Sequence, residues 1–358
     1  MAFCCQNRLL KQYNEIVFVM LKFSLLVSVY NGAFFLERLF NSLLNQDIPL
    51  QDYEIVFVDD FSSDNSVEII REYQKRFHNI RLFLNEKNKR IATNVNKLVS
   101  VACGKYFWLI GQDDYIEENC LGLLWHKLEE EQLDVLLFNY RKVDMHGKNL
   151  ADFKVFERCN SMSGSSFLSI QFKDRDCCQY VLGYEWRAVY KTDFWKKQEI
   201  RCVDGMNYED TIIMLKAIVY SQSVAAIDDF LYNYRINEKS ISYCADFKKR
   251  GDLIYEFAFL VGDEVERFYY QLLEINTSLA ADLRKHLIKR YNGFQIDLIR
   301  TKKEYKKDFY SRVTENFEFV NSKRRWLNLN SKLLLSPLVG FYIACILGWI
   351  YRIKKVWG

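Results

Sequence analysis

Over the first third of the chain, short, mostly apolar runs alternate with longer stretches in which apolar residues recur three or four positions apart. Such runs closed by turn residues read as strands buried on both faces, and the spaced stretches as helices packed across them. The runs are Lys22–Tyr30, Tyr53–Val58, Ile80–Leu84 and Tyr106–Ile110, separated by helical patterns at Phe34–Leu44, Val67–Phe77 and Thr93–Ala102. This alternation predicts an α/β, doubly wound sheet over residues 20–115.

The pattern changes after Tyr115. A helix is predicted over Glu117–Glu131, a strand over Val135–Tyr140, a hairpin turn over Asp144–Asn149 and a polar, flexible loop over Ser161–Ser166. Gly183–Tyr190 alternates large and polar groups ahead of a short helix, and Gly205–Thr211 opens a helix whose Ile212, Leu215 and Val219 face inward. Residues 116–244 are read as the second half of the same domain. From 245 to 330, Leu253–Tyr270 and Leu279–Ile299 show amphipathic spacing, which predicts a helical extension. Residues 331–358 form a hydrophobic segment, and residues 1–19 show no period. The latter are expected to be disordered or to lie upstream of a natural start at Met20.

Half of the 358 residues are apolar and only two are proline, so the chain can bury a large core and has no long linker composition. Net charge is only +4, but from Gln295 onward thirteen Lys or Arg face five Asp or Glu. Leu333–Tyr351 runs nineteen residues without a charge and is followed by Arg352, Lys354 and Lys355. Pro337, Gly340 and Gly348 make it a re-entrant or interfacial helix as readily as a span, with the basic flank facing the cytoplasm and an anionic inner leaflet. Ten cysteines contain no C-x-x-C, and no cleavable signal precedes them, so they read as reduced thiols of a cytosolic protein on the cytoplasmic face of the membrane. His78, His126, His146 and His286 are scattered, which excludes a histidine metal site and a Ser-His-Asp triad. No nucleic-acid partner is expected.

Two of the buried strands end in acidic pairs, Asp59-Asp60 and Asp113-Asp114. The carboxyl edge of such a sheet is where ligands bind. Adjacent carboxylates beside an apolar strand need a cation, hydrogen-bond donors or water, so a divalent metal is one reading of Asp113-Asp114 and a helix cap the other. Asp59-Asp60 has the same ambiguity with a capped turn. Asn207 and Asp210 have the spacing of a capping box, and a carboxylate at a helix N-terminus is also held ionised for use as a base. Trp186 is either a stacking platform for a sugar or core.

Val27-Ser28-Val29-Tyr30-Asn31, Val58-Asp59-Asp60-Phe61-Ser62-Ser63-Asp64-Asn65-Ser66, Ala102-x-Gly104-Lys105-Tyr106 and Gln112-Asp113-Asp114 together resemble, in order and spacing, the inverting GT-A glycosyltransferases of family 2. The resemblance runs over roughly residues 22–242 and closes on Tyr232–Ser242. It implies a Rossmann-like mixed sheet with a nucleotide-sugar donor, a UDP-sugar foremost, across its carboxyl edge. By that likeness Val29 and Tyr30 flank the base, Asp59 or Asp60 binds base or ribose, and Arg90, Gln112 and Arg235 belong to the donor site. Asp113 with Asp114 would hold Mn²⁺ or Mg²⁺ on the diphosphate. Asp210, with Glu209 second, would take the proton from the acceptor, a glycan or lipid-linked saccharide bordered by the Ser161–Ser166 loop. For Arg235, a surface salt bridge is the plain alternative.

Two positions depart from the family pattern. Gly111 stands where the first aspartate of D-x-D is usual, and Val95 where an arginine is common; Arg90 or Lys89 is expected to replace the latter. Restoring the carboxylate by Gly111→Asp is therefore expected to tighten the donor. These departures also motivate a second reading, a catalytically weakened nucleotide-sugar-binding protein that acts as an assembly partner. The first reading is an enzyme of surface-polysaccharide synthesis, of capsule, O-antigen or exopolysaccharide type.

Overall fold

The computed structural model describes residues 9–12, 15–18, 20–171, 183–207, 210–237, 251, 255–256, 261–324 and 327–357. The chain divides into two compact units, Met1–Ile236 and Asn237–Gly358, so the boundary falls ahead of the expected residue 244. Before Met20, in the stretch expected to be disordered or upstream of a natural start, β1 (Leu9–Gln12) pairs antiparallel with β2 (Glu15–Phe18). Ile16, Val17 and Phe18 are strand formers, and a pairing this short leaves no periodicity to read.

The first unit then alternates β3 (Phe23–Val29), α1 (Ala33–Leu44), β4 (Tyr53–Asp59), α2 (Ser66–Arg76), β5 (Ile80–Leu84), α3 (Arg90–Val101) and β6 (Tyr106–Gly111). The four strands are parallel, with Phe23 level with Tyr53 and Tyr106, and Val29 level with Asp59. Their carboxyl ends therefore finish on one edge. Leu25, Leu26, Val27, Val56, Phe57 and Trp108 have no exposed surface, as continuous apolar runs require when helices cover both faces. The amino ends are locked by polar groups: Glu54 accepts from Ser24 Oγ and Arg81 Nη1 at 2.6 Å each and from Cys103 N at 2.7 Å. A Cβ on Gly104 would lie 2.4 Å from Ser24 N, so the approach to β6 admits only glycine.

The second half adds β7 (Tyr115–Ile116), α4 (Leu121–Glu130), β8 (Val135–Val143), β9 (Asn149–Phe153), β10 (Cys159–Met162), α5 (Gly164–Gln171), β11 (Ala188–Lys191), α6 (Thr192–Lys197), α7 (Asp210–Tyr220) and β12 (Val224–Arg235). All join one ten-stranded sheet, ordered β10-β12-β8-β11-β6-β3-β4-β5, with β7 on β12 and β9 on β8. β11 is antiparallel to both β6 and β8, while β8 and β12 are parallel, so the sheet is mixed. The hairpin turn forms as expected, with Asp144 Oδ1 accepting from His146 N and Lys148 N at 2.9 Å.

Three element boundaries differ from expectation, each through a contact distant in sequence. α3 starts at Arg90 because the Asp60 carboxylate, on another loop, accepts from Lys89 N at 2.7 Å and Arg90 N at 2.9 Å. α4 starts later than Glu117, since Glu117 N donates to Leu231 O in the pairing of β7 with β12. Ser161–Ser166 is no flexible loop: β10 pairs with β12, and a Cβ on Gly164 would lie 1.5 Å from Ile218 O, so α5 sits directly on α7.

The second unit is helical: α8 (Val261–Ile275), α9 (Thr277–Arg300), α10 (Lys303–Glu315), α11 (Phe317–Lys323), α12 (Leu329–Leu334) and α13 (Gly340–Trp357). Asn276 Oδ1 caps α9 by accepting from Leu279 N, and Asn328 Oδ1 caps α12 by accepting from Ser331 N. Pro337 separates the last two helices. Among the described residues, no helix is long and apolar enough to cross a membrane.

Candidate active site

Three loops meet at the carboxyl edge. Gln112 clamps the Tyr30 backbone at two points, accepting from Tyr30 N at 2.8 Å and donating to Tyr30 O at 3.1 Å. Its amide therefore joins the loops after β3 and β6, and the Tyr30 ring beside it is 47% exposed. Val29 is buried, and its carbonyl accepts from Asp60 N at 2.7 Å. The loops after β3 and β4 are knitted by Asn31 N to Ser62 Oγ, Ser63 N to Asn31 Oδ1 and Ala33 N to Asp64 Oδ2. Asn31 adopts φ 49°, a left-handed turn that asparagine tolerates.

The structure separates the two members of each acidic pair. Asp60 is buried and engaged by Asn85 Nδ2, Lys89 N and Arg90 N, so it holds the α3 terminus. Asp59 is equally buried; its Oδ2 accepts from Ser62 N at 3.0 Å, while Oδ1 has no hydrogen-bond partner among the described residues. Asp114 is buried with Oδ2 accepting from Tyr232 hydroxyl and Oδ1 from Arg235 N, both at 2.7 Å. Burial, and secondarily the charge of Asp113, pushes the Asp114 carboxyl well above its usual range. Asp114 thus ties β6 to β12, and Asp113 is the half-buried carboxylate left at the edge.

Gly111 belongs to this tie. Its N–H donates to the Tyr232 hydroxyl at 2.9 Å, and a Cβ there would lie 2.7 Å from Asp114 Oδ2 and 3.2 Å from the Tyr232 oxygen. The expectation that Gly111→Asp tightens a ligand is therefore reversed: the space an aspartate needs is filled by a buried carboxylate held at both oxygens. Val95 is core at 5% exposure. Arg90, exposed at the start of α3 with φ 67°, directs Nη1 to Gly205 O at 3.2 Å.

Arg235, at the end of β12, is 3% exposed, and its Nε and Nη2 have no hydrogen-bond partner among the described residues. The guanidinium lies 5.3 Å from the Phe35 ring and 5.6 Å from the Tyr115 ring. It is no surface salt bridge. Burial first, and then the Arg38 charge, lowers its proton affinity, while Asp114 and Asp113 oppose that shift.

Asp210 begins α7, and its Oδ2 accepts from Tyr184 N at 3.0 Å. Glu209 lies outside the described residues. The approach to α7 hangs on α3: Gly205 N donates to Thr93 Oγ1, Ala92 N to Met206 O, and Asn96 pairs with both Cys202 N and Cys202 O. α3 thus carries both the Asp60 cradle and the segment leading to Asp210. Tyr184, at φ 66°, presents Glu185 next, and burial with the Asp210 charge pushes the Glu185 carboxyl up to about 8. Arg187, wholly buried, donates Nη2 to Gly183 O at 2.8 Å, and burial lowers it to about 10.

Glu185 and Arg187 were missed by the sequence reading; charged residues between Tyr184, Trp186 and Tyr190 were the available signal, since charge inside an aromatic segment is buried only with partners. Trp186 resolves to core. It is 8% exposed, stacked on Tyr232 at 4.3 Å and on Tyr234 at 5.5 Å.

Comparison with known proteins agrees with this architecture. Residues 24–185 match the family described as glycosyl transferase family 2. The chain is 25% identical over 286 residues to the poly(ribitol-phosphate) beta-N-acetylglucosaminyltransferase TarS of Staphylococcus aureus, covering 77% of this chain and 46% of TarS. It is 26% identical over 220 residues to the uncharacterized glycosyltransferase EpsJ of Bacillus subtilis, covering 61% of this chain and 62% of EpsJ. The chain thus spans about half the length of these relatives. The crystal structure of S. aureus TarS 1–349 in complex with UDP-GlcNAc superposes with a TM-score of 0.65 at 21% identity, covering 93% of this chain and 92% of that one. With its parallel β3–β6 half, antiparallel β11 insertion and motif-bearing carboxyl edge, the chain has the GT-A fold, and its residues 24–185 match glycosyl transferase family 2.

Proposed function

We propose that this chain transfers a sugar, with inversion, from a UDP-sugar to a hydroxyl of a glycan or lipid-linked saccharide in bacterial surface-polysaccharide synthesis. The observation carrying the donor reading is a complementary set of incomplete buried groups at one edge: among the described residues, Asp59 Oδ1 meets no donor, and Arg235 Nε and Nη2 meet no acceptor. Buried polar atoms in folded proteins are almost always satisfied, so orphans mark where a partner belongs. A uracil imide N–H suits the first and a phosphate oxygen the second, as guanidinium geometry favours. The exposed ring of Tyr30 would flank the base. TarS, whose solved complex contains UDP-GlcNAc, has the same fold.

The residues also fit a divalent ion. Among the described residues no three His, Cys, Asp or Glu side chains converge on a metal, so the protein alone builds no cage. Mg²⁺ and Mn²⁺ at nucleotide sites need only one or two carboxylates, with phosphate oxygens and water completing the shell, and Asp113 would supply the protein ligand. When bound, such an ion neutralises charge on the diphosphate leaving group.

The remaining chemistry falls to the chain. Asp210 accepts the proton of the acceptor hydroxyl as the new C1–O bond forms and the C1–O bond to the diphosphate breaks. One displacement from the opposite face inverts the anomeric centre. The Asp210 carboxylate stands at the start of α7 and is positioned by the bond from Tyr184 N. The alternative, a nucleotide-sugar-binding assembly partner without turnover, rests on Gly111 and Val95. Assay of UDP release and product formation over a panel of UDP-sugars and acceptors with Mn²⁺ decides. Transfer that Asp210→Asn cuts by about a hundredfold or more, with UDP binding intact, supports the enzyme. UDP binding without any turnover supports the binding protein.

A further inference from the structure

We propose that α13 lies in the plane of an anionic bilayer surface, its outer stripe sunk at the boundary between headgroups and acyl chains. The stripe is Tyr342, Ile346, Trp349 and Ile353, spaced three or four residues apart and exposed by 68%, 59%, 66% and 38%, and Leu338 in the turn just before it is 86% exposed. A continuous apolar stripe of this kind left open to water marks a binding surface. The opposite side of the helix is closed. Ala344 is fully buried and its carbonyl accepts from Lys306 Nζ at 2.9 Å, while a Cβ on Gly348 would lie 2.5 Å from Ile299 O. Small residues four apart thus seat the backbone on α9 and α10, fixing which face looks out.

Charge selects the occupant. No Asp or Glu follows Glu318, whereas Lys332, Arg352, Lys354 and Lys355 occupy the terminal stretch. Arg352 and Lys354 are exposed on α13 itself. Such a face repels a second copy of itself and attracts a negatively charged surface, where each basic residue adds to apolar insertion. Tyr342 and Trp349 are the side chains that favour the membrane interface. Among the described residues no helix can span a bilayer, so α13 lies on it. This inference concerns the second unit alone and stands independently of the sugar-transfer reading.

Sedimentation of the full chain with phosphatidylcholine vesicles, with and without phosphatidylglycerol, tests it. The expected result is binding to the phosphatidylglycerol vesicles that weakens with salt, little binding to neutral ones, and at least about a tenfold loss of partition in Ile346→Ser/Trp349→Ser. Lys354→Glu, a surface change that leaves packing untouched, should weaken the anionic binding on its own. A retained thermal shift with UDP shows that the first unit of each variant is folded. Absence of vesicle binding, equal binding to neutral vesicles, or full binding by either variant overturns the proposal. So does a concentration-dependent dimer that the double variant abolishes, which would give the stripe to a second copy. Vesicle binding without any UDP response would count against the transfer reading only.

Discussion

The two oxygens of Asp114 accept from the Tyr232 hydroxyl and the Arg235 backbone, so truncating that carboxylate leaves two buried donors without acceptors. Asp114→Ala should destabilise the first unit by about 2–4 kcal/mol in urea unfolding. Asp113→Ala should leave stability within about 0.5 kcal/mol of the parent and remove the effect of Mn²⁺ on UDP binding. Equal destabilisation by both would contradict the division of roles. Gly111→Asp should weaken UDP and lower the melting temperature, because the new side chain meets Asp114 Oδ2. Tighter UDP binding in that variant would restore the expectation from sequence. Glu185 offers a pH test: a carboxyl raised to about 8 holds its proton more tightly folded than unfolded. The unfolded chain then binds fewer protons between roughly pH 5 and 8, so folding stability falls as pH rises through that window. Glu185→Gln removes this loss. Its stability relative to the parent should increase by at least about 1 kcal/mol between pH 5 and pH 8, and a pH-independent difference would show that Glu185 is not held protonated.

At the scale of elements, the strands and helices that end in motifs were legible because each is set by local pattern. Phe23–Val29, Tyr53–Asp59, Ile80–Leu84 and Tyr106–Gly111 are short, mostly apolar runs of strand length. The start of α3 was not legible, since its cap, Asp60, is thirty residues away from Arg90. Nor was β10, whose residues Cys159–Met162 carry little strand propensity and are held by pairing with β12. In the second unit, the seating of α13 depends on Lys306, whose ammonium is buried against Ile299 O and Ala344 O. Burial lowers it from 10.5 to about 8, so between those values the unfolded chain binds more protons and stability of this unit rises with pH. Hydrogen exchange of α13 should slow from pH 8 toward 10 once corrected for intrinsic rates. Lys306→Met should abolish that trend, and a trend unchanged in the variant would assign it elsewhere.

For the molecule as a whole, the acidic motifs marked the carboxyl edge of the sheet but not which partners each oxygen engages. Asp59 and Asp60, like Asp113 and Asp114, are adjacent in sequence and differ in what they hold: Asp60 secures the start of α3, and Asp114 secures Tyr232 and Arg235. The resemblance to family 2 reached the fold and the edge; the reversal at Gly111 and the burial of Trp186 needed the partners that only folding brings together. If Asp59 recognises the uracil, calorimetric titration of UDP, ADP and GDP into the parent and Asp59→Ala should show UDP binding the parent most tightly, and Asp59→Ala losing roughly tenfold to a hundredfold for UDP with little change for the others. Equal affinity for the three nucleotides, or unaltered UDP binding by Asp59→Ala, would contradict it.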